Sequence, residues 1–185
     1  MLYLISGASR SGKTLLARKI LAERQIPYLS LDWLMMGFTH GIPEYGIHPL
    51  LWPDKIAEKM APFQRGMIDN MLFDGIDYVI EGEAMMPGLT AELMKKYPGQ
   101  IKPVFLGFTE ITVADKFALV HEHSEGAKDW LMQEDDDYIR DHIGNMIVHS
   151  KNVRKECKKH ALPYIDTSED FLGAIETASD TLLAG

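Results

Sequence analysis

One stretch constrains this chain more than any other. Gly7-Ala8-Ser9-Arg10-Ser11-Gly12-Lys13-Thr14 fits the pattern G-x-x-x-x-G-K-[ST] at every fixed position. A short apolar run, Leu2-Tyr3-Leu4-Ile5, precedes it. A helical pattern from Lys13 to Arg24 follows, with Leu16/Ile20 and Ala17/Leu21 four apart. Strand, glycine loop and helix in that order form an anion cradle. Gly7 and Gly12 permit turns closed to residues with a Cβ. The loop N–H groups then converge as a nest, and the helix adds the positive end of its dipole. Lys13 reaches the outer phosphates of a nucleoside triphosphate, and the Thr14 hydroxyl ligates Mg²⁺. Residues 7–14 are therefore the expected nucleotide-binding set, with Arg10 either touching phosphate or pointing outward.

The rest of the chain continues the alternation. Pro27 to Leu31, Tyr78-Val79-Ile80, Val104-Phe105-Leu106 and Pro163-Tyr164-Ile165 read as further strands. Leu89 to Tyr97, residues 111–121, residues 136–160 and a final run through Phe171, Ile175, Ala178 and Leu182 read as helices. Another helix carries the stripe Ile56, Met60, Phe63, Met67, Met71, which Pro62 should kink or divide. Gly37, Gly41, Pro43, Gly46, Pro49 and Pro53 mark residues 37–53 as a long loop. Repeated strand–helix units predict an α/β fold: a parallel sheet with helices on both faces. At 185 residues, with no repeat, low-complexity tract or linker, residues 1–185 are expected to form a single domain.

Composition removes several function classes. The 19 Lys+Arg against 27 Asp+Glu leave a net charge of −8, which argues against nucleic acid or an anionic membrane as the main partner. The lone cysteine, Cys157, excludes an internal disulfide and a Cys-rich zinc site, and reads as incidental. No apolar run is long enough to span a bilayer, and Met1 to Ser6 lack the features of a signal peptide, so a cytoplasmic location is expected. A GTPase would carry an Asn-Lys-x-Asp run, which is absent, and motor or transport ATPases need far more chain. A small kinase fits this length best.

In parallel sheets ligands gather at the carboxyl ends of strands. Asp32 follows the second strand, and Glu81-Gly82-Glu83 the third. Glu81 is the candidate second holder of Mg²⁺ beside Thr14, or else a loop or capping acid. Asp32 is the candidate acceptor-hydroxyl partner, or the N-cap of a short helix at Trp33–Met36. Glu83 faces either substrate or solvent. Arg65 either binds a substrate anion or pairs with Asp69 at i+4. Residues 121–140 are the candidate lid, with Gly126 as a hinge and Lys128 and Arg140 as its cations. The acids Glu134 to Asp137 read as first-turn partners of a helix dipole. The histidines show no metal-ligand spacing. His48 and Trp52 are pocket candidates by location, and the methionines read as core or adaptable lining.

With these features in place, the chain resembles the small P-loop kinases of the nucleoside-monophosphate-kinase type. These include the shikimate, gluconate and adenylate kinases, chloramphenicol phosphotransferase and the zeta-toxin-like kinases. The stretch Val79 to Gly88 also resembles the E-G-x-x-x-x-P-G segment of 2-phosphoglycerate kinases, without its usual histidine. The resemblance implies a five-stranded sheet in the order 2-3-1-4-5, a substrate cap at about 33–75 and a lid at about 122–140. The usual lid R-x-x-x-R pair is reduced to Arg140. It further implies Mg²⁺-dependent transfer from ATP to a hydroxyl or phosphate of a small molecule, by a monomer or homodimer. Lys13, Asp32 and Arg140 become the catalytic set, Asp32, Arg65 and Glu83 the substrate set, and Thr14 and Glu81 the metal set. Asp166-Thr167-Ser168 falls near the adenine. The rival reading is a nucleotide-binding sensor with little transfer activity.

Overall fold

The structure is a computed structural model that describes residues 1–124 and 129–184. Its elements are β1 (Leu2–Gly7), α1 (Lys13–Arg24), β2 (Tyr28–Ser30), α2 (Leu31–Gly41), a 3-10 turn (Pro43–Tyr45), α3 (Pro53–Asp74), β3 (Tyr78–Glu81) and α4 (Pro87–Lys96). Then come β4 (Ile101–Gly107), α5 (Val113–Glu122), a second 3-10 turn (Trp130–Gln133), α6 (Asp136–Lys159), β5 (Tyr164–Asp166) and α7 (Phe171–Leu183). The five strands are all parallel, in the order β2-β3-β1-β4-β5.

The sheet is apolar on both faces because its strands are covered twice. Along β1, Leu2 and Leu4 enter the core beneath α2, α3 and α4. Tyr3 and Ile5 enter the opposite core beneath α1 and α7. This is the period of two expected of a pleated strand buried on both sides. Phe108 and Ala8 begin a third cluster with Val120, Leu131, Ile139 and Ile143, which seats α5 and α6 beside the first loop. Among the described residues no helix is long and apolar enough to cross a membrane.

Several local expectations are corrected. The loop expected at 37–53 is helical in its first part, since α2 runs through Gly37 to Gly41. Each helical glycine costs about 1 kcal/mol relative to alanine. The packing of Leu34, Met35 and Phe38 against the core opposes that cost, and Ser30 caps the helix. Ser30, not Asp32, is therefore the N-cap, and Asp32 lies in the first turn. Pro62 does not divide α3. It sits on the exposed side, where water can satisfy the carbonyl its ring leaves unpaired. The deepest line of α3 runs Ile56, Met60, Gln64, Ile68, while Phe63 is turned outward onto the edge of Phe38. Gln64 is tolerated in the core because its Nε2 donates to the Ala84 carbonyl at 3.0 Å.

Arg65 does not pair with Asp69. It forks onto Glu92 of α4 at 2.9 and 2.8 Å, while Asp69 takes Lys96 and Tyr97. Both helices offer partners four residues apart, so two cross-helix bonds replace one intrahelical bond. The pairs are exposed, so they align α3 with α4 more than they stabilise the fold. The acids before α6 behave as read from the sequence: Asp135 caps the Tyr138 N–H at 2.8 Å, and Asp136 and Asp137 fill the first turn. Cys157 is buried, which pushes its thiol up to about 12 and makes it unreactive.

Candidate active site

Because all strands run the same way, their carboxyl ends meet along one edge. The loop after β1, Asp32 after β2, Glu81 at the end of β3 and Asp166 at the end of β5 share that edge. The strand order changes direction around β1, so the edge of β1 is the switch point where such folds bind ligands.

The first loop is closed by tight backbone contacts. Gly7 has φ +125°, and a Cβ there would meet the Leu106 carbonyl oxygen at 1.7 Å. The Ala8 N–H donates to that same oxygen at 3.0 Å. Inside the loop the Ala8 carbonyl accepts from Ser11 Oγ at 2.7 Å and from Lys13 Nζ at 2.6 Å. The buried Lys13 ammonium thus folds back on its own loop.

The Arg10 side chain is largely buried and engages Asp129. Its guanidinium forks onto Asp129, with Nη1 2.7 Å from Oδ2 and Nη2 bonded to Oδ1. The guanidinium holds the Asp129 carboxyl below the usual range. Asp129 in turn caps the Trp130–Gln133 turn through the Leu131 N–H at 3.1 Å. The backbone of Arg10 is also held, since Lys116 Nζ of α5 donates to its carbonyl at 3.1 Å and lies 4.1 Å from the Phe108 ring centroid. Burial, with some repulsion from Arg10, lowers the Lys116 ammonium to about 8.

On the other side of the loop stand the acids. Glu81 is only 1% exposed, and its Oε1 accepts from Thr14 Oγ1 at 3.3 Å. Its Oε2 is buried with no hydrogen-bond partner among the described residues. Burial raises its pKa, against the lowering influence of Ser30, Lys13 and Thr14. A buried carboxylate oxygen left unpaired beside a threonine hydroxyl suits a hard, oxygen-seeking cation. The pair therefore fits Mg²⁺, which commonly takes only one or two protein oxygens and completes its shell with water and phosphate. No cluster of three or more His, Cys, Asp or Glu residues suited to a metal occurs among the described residues.

Glu83 reaches the loop directly, where its Oε1 accepts from the Ser9 N–H at 3.1 Å. Burial raises its pKa, opposed by Lys13 and the Ser9 N–H. His149 of α6 points at it, with Nε2 3.8 Å from Glu83 Oε1. That imidazole is buried, its Nε2 has no partner among the described residues, and burial lowers it to about 4. His142, two helical turns earlier, stacks on Tyr138 and meets the edge of Trp130. Burial lowers it as well. Asp32 is exposed, and its charge bears on both Glu81 and Glu83.

The loop that follows β5 is laced to the end of β4. Asp166 accepts from the Thr109 N–H and hydroxyl and from the Ser168 N–H and hydroxyl, and the Thr167 N–H donates to the Gly107 carbonyl at 2.8 Å. Arg154 adds bonds to Thr109 and Glu110.

Of the residues singled out from the sequence, Lys13, Thr14, Asp32, Glu81 and Glu83 lie close enough to bond or to act electrostatically on one another. Arg65 is committed to Glu92 and His48 to the Leu50 N–H. Arg140 lies over the Phe117 ring beside Asp136 and Asp137, so its contacts are not with the loop. Lys128 and Gly126 lie outside the described residues. Lys116 and His149 were missed, although each left a mark. Lys116 interrupts the apolar line Val113, Phe117, Val120, and the pair His142/His149 lies on one face with Met146 and Val153.

The His149 environment gives a pH prediction. Unfolded, its imidazole takes a proton below about 6.5; folded, only near 4. The unfolded state then binds more protons, so this residue's contribution to stability is lost as pH falls from about 6.5 to about 4. The loss is up to about 3 kcal/mol. Urea midpoints across this range should fall more steeply for the native protein than for His149→Gln. Parallel slopes would remove His149 as the cause.

No family model matches the chain, and no curated protein matches it. Solved structures do. A gluconokinase from Sinorhizobium meliloti 1021 superposes with a TM-score of 0.56 at 16% identity, over 97% of this chain and 90% of that one. A shikimate kinase from Bacteroides thetaiotaomicron superposes with a TM-score of 0.54 at 16% identity, over 98% of both chains. This is the fold of the small P-loop kinases. At such identities the likeness establishes architecture alone.

Proposed function

We propose that the protein is a Mg²⁺-dependent phosphotransferase that moves the γ-phosphoryl group of ATP to a hydroxyl of a small molecule. One observation carries the reading: the loop's Lys13 and Thr14 stand beside Glu81, whose buried Oε2 has no partner among the described residues. A loop that only braced the sheet would have no use for that unsatisfied oxygen.

In this reading the amides of residues 8–14 receive the phosphates, and Lys13 leaves the Ala8 carbonyl to bridge the β- and γ-phosphates. Mg²⁺, held by Thr14 and Glu81, supplies charge neutralisation on the phosphate oxygens. Asp32 orients the acceptor hydroxyl and accepts its proton. The loose transition state of phosphoryl transfer makes this positioning more important than basicity. Residues 33–75 serve as the substrate cap and residues 122–140 as the lid. Arg140 or Lys128 closes over the γ-phosphate, in Arg140's case by leaving Asp136. The Asp166–Ser168 turn flanks the adenine. Arg65 belongs to the brace between α3 and α4.

A second reading is favoured by the paired state of the arginines. With Arg10 on Asp129 and Arg140 on Asp136, a nucleotide sensor with little transfer is also consistent. Both readings meet one experiment. The protein is incubated with Mg-ATP and a panel of hydroxyl compounds, and products are screened for a gained phosphoryl group. Transfer to any acceptor supports the kinase; tight ATP binding with no product supports the sensor. Asp32→Asn should then lower kcat about a hundredfold with the Kd for ATP unchanged. Equal losses in both would take Asp32 out of the acceptor site.

A further inference from the structure

Arg10 holds a backbone conformation that its own side chain disfavours. Its φ of +58° lies in the left-handed region, where the Cβ of an L-residue crowds the following carbonyl. Such a conformation persists only when its surroundings hold it. Two groups do so from opposite ends of the residue. Asp129 takes the guanidinium, and Lys116 of α5 donates to the carbonyl at 3.1 Å.

The second bond has a directional consequence. Among the described residues every peptide is trans, so the Arg10 carbonyl and the Ser11 N–H point in opposite directions. A carbonyl drawn toward α5 therefore turns the Ser11 amide away from α5. A left-handed residue among ordinary ones is what lets successive N–H groups converge on an anion.

Lys116 is also unusual in its charge. The residue is only 6% exposed, and its ammonium lies 4.1 Å from the centroid of the Phe108 ring. Among the described residues no acidic group bears on it, and the charge that does is the Arg10 guanidinium, which repels it. With its pKa lowered to about 8, most of it is still charged at neutral pH. A buried cation without a counter-ion costs stability. A polyphosphate in the adjoining loop brings the missing negative charge.

We propose that Lys116 is a positioning residue for the nucleotide: by holding the Arg10 carbonyl it turns the Ser11 N–H toward the phosphates, and its charge is balanced when they bind. It rests on the reading of residues 7–14 as a nucleotide site. The lysine weakens the empty protein and strengthens the occupied one. A lysine that only braced α5 against the loop would strengthen both.

The test measures Kd for Mg-ADP and for inorganic tripolyphosphate, and the melting temperature without ligand, in the native protein and in Lys116→Met. Methionine keeps an unbranched apolar stem beside Phe108 and removes the charge and the donor. Both Kd values should rise about tenfold or more, the loss expected when a hydrogen bond from a charged group is removed. The two losses should match, because the Ser11 amide meets phosphate and not the nucleoside. The empty variant should melt at or above the native temperature. By NMR, the Ser11 amide proton of the native protein should move downfield when Mg-ADP is added. Unchanged Kd values, a loss confined to ADP, or an empty variant that is unfolded or melts more than about 3 °C below native overturns this inference. So does a native Ser11 amide that ADP leaves in place, a result that needs no variant. Each of these leaves the nucleotide reading standing while the native protein binds. A native protein that binds neither ligand overturns both.

Discussion

Lys13→Ala is expected to lower the rate of phosphoryl transfer about a thousandfold, equivalent to roughly 4 kcal/mol of transition-state stabilisation. On the proposed function the ammonium is a preorganised charge: it is already buried in the loop, where it bonds the Ala8 carbonyl, and it would exchange that oxygen for phosphate. Such groups act where charge develops and little water screens it, so their loss is large. Folding should survive, because the Ala8 carbonyl keeps its bond from Ser11 Oγ. The measurement is initial rates at saturating acceptor, beside a thermal melt. A variant that melts normally and keeps more than about a tenth of the activity would remove Lys13 from the chemistry.

Gly7→Ala should act through the fold instead. A backbone φ of +125° is closed to L-residues, and the added Cβ would lie 1.7 Å from the Leu106 oxygen, a distance no non-bonded contact can hold. That oxygen is anchored by the Ala8 N–H, and Gly7 itself is in register with Leu106. Relief requires parting β1 from β4 at the centre of the sheet. A loss of at least about 4 kcal/mol is expected, which for a chain of this size lowers the melting temperature by about 10 °C or more. Nucleotide affinity should fall with it, since the nest opens at its first residue. A melt within about 3 °C of native, with nucleotide still bound, would show that the loop absorbs the clash.

Local signals in this chain are readable because each is written in neighbouring residues. The loop announces itself by two glycines, a lysine and a threonine at fixed spacing. β1 announces itself by apolar residues on both parities, and α6 by the stripe Ile139, Ile143, Ile147. What could not be read depends on contacts between distant segments. Gly37 looks like a helix breaker until Phe38 and Met35 are seen packed on the core. Arg65 has an ideal intrahelical partner in Asp69, and only the apposition of α4 redirects it to Glu92. The carboxylates Asp32, Glu81 and Glu83 were found by reasoning about strand ends. Their histidine neighbour on α6 was not, because 66 positions separate Glu83 from His149 and no short motif joins them.

The fork between Arg10 and Asp129 sets a thermodynamic condition on the site. If Arg10 turns inward to a phosphate, it must release Asp129, and the turn Trp130–Gln133 then loses the anchor of its capping residue. Apparent nucleotide affinity is then intrinsic affinity reduced by the fraction of molecules in which the fork is closed. The coupling runs both ways: whatever draws Asp129 away from the loop tightens nucleotide binding by the same factor by which nucleotide favours the displaced turn. On the proposed function, the turn Trp130–Gln133 and the loop at residues 7–14 then share one equilibrium.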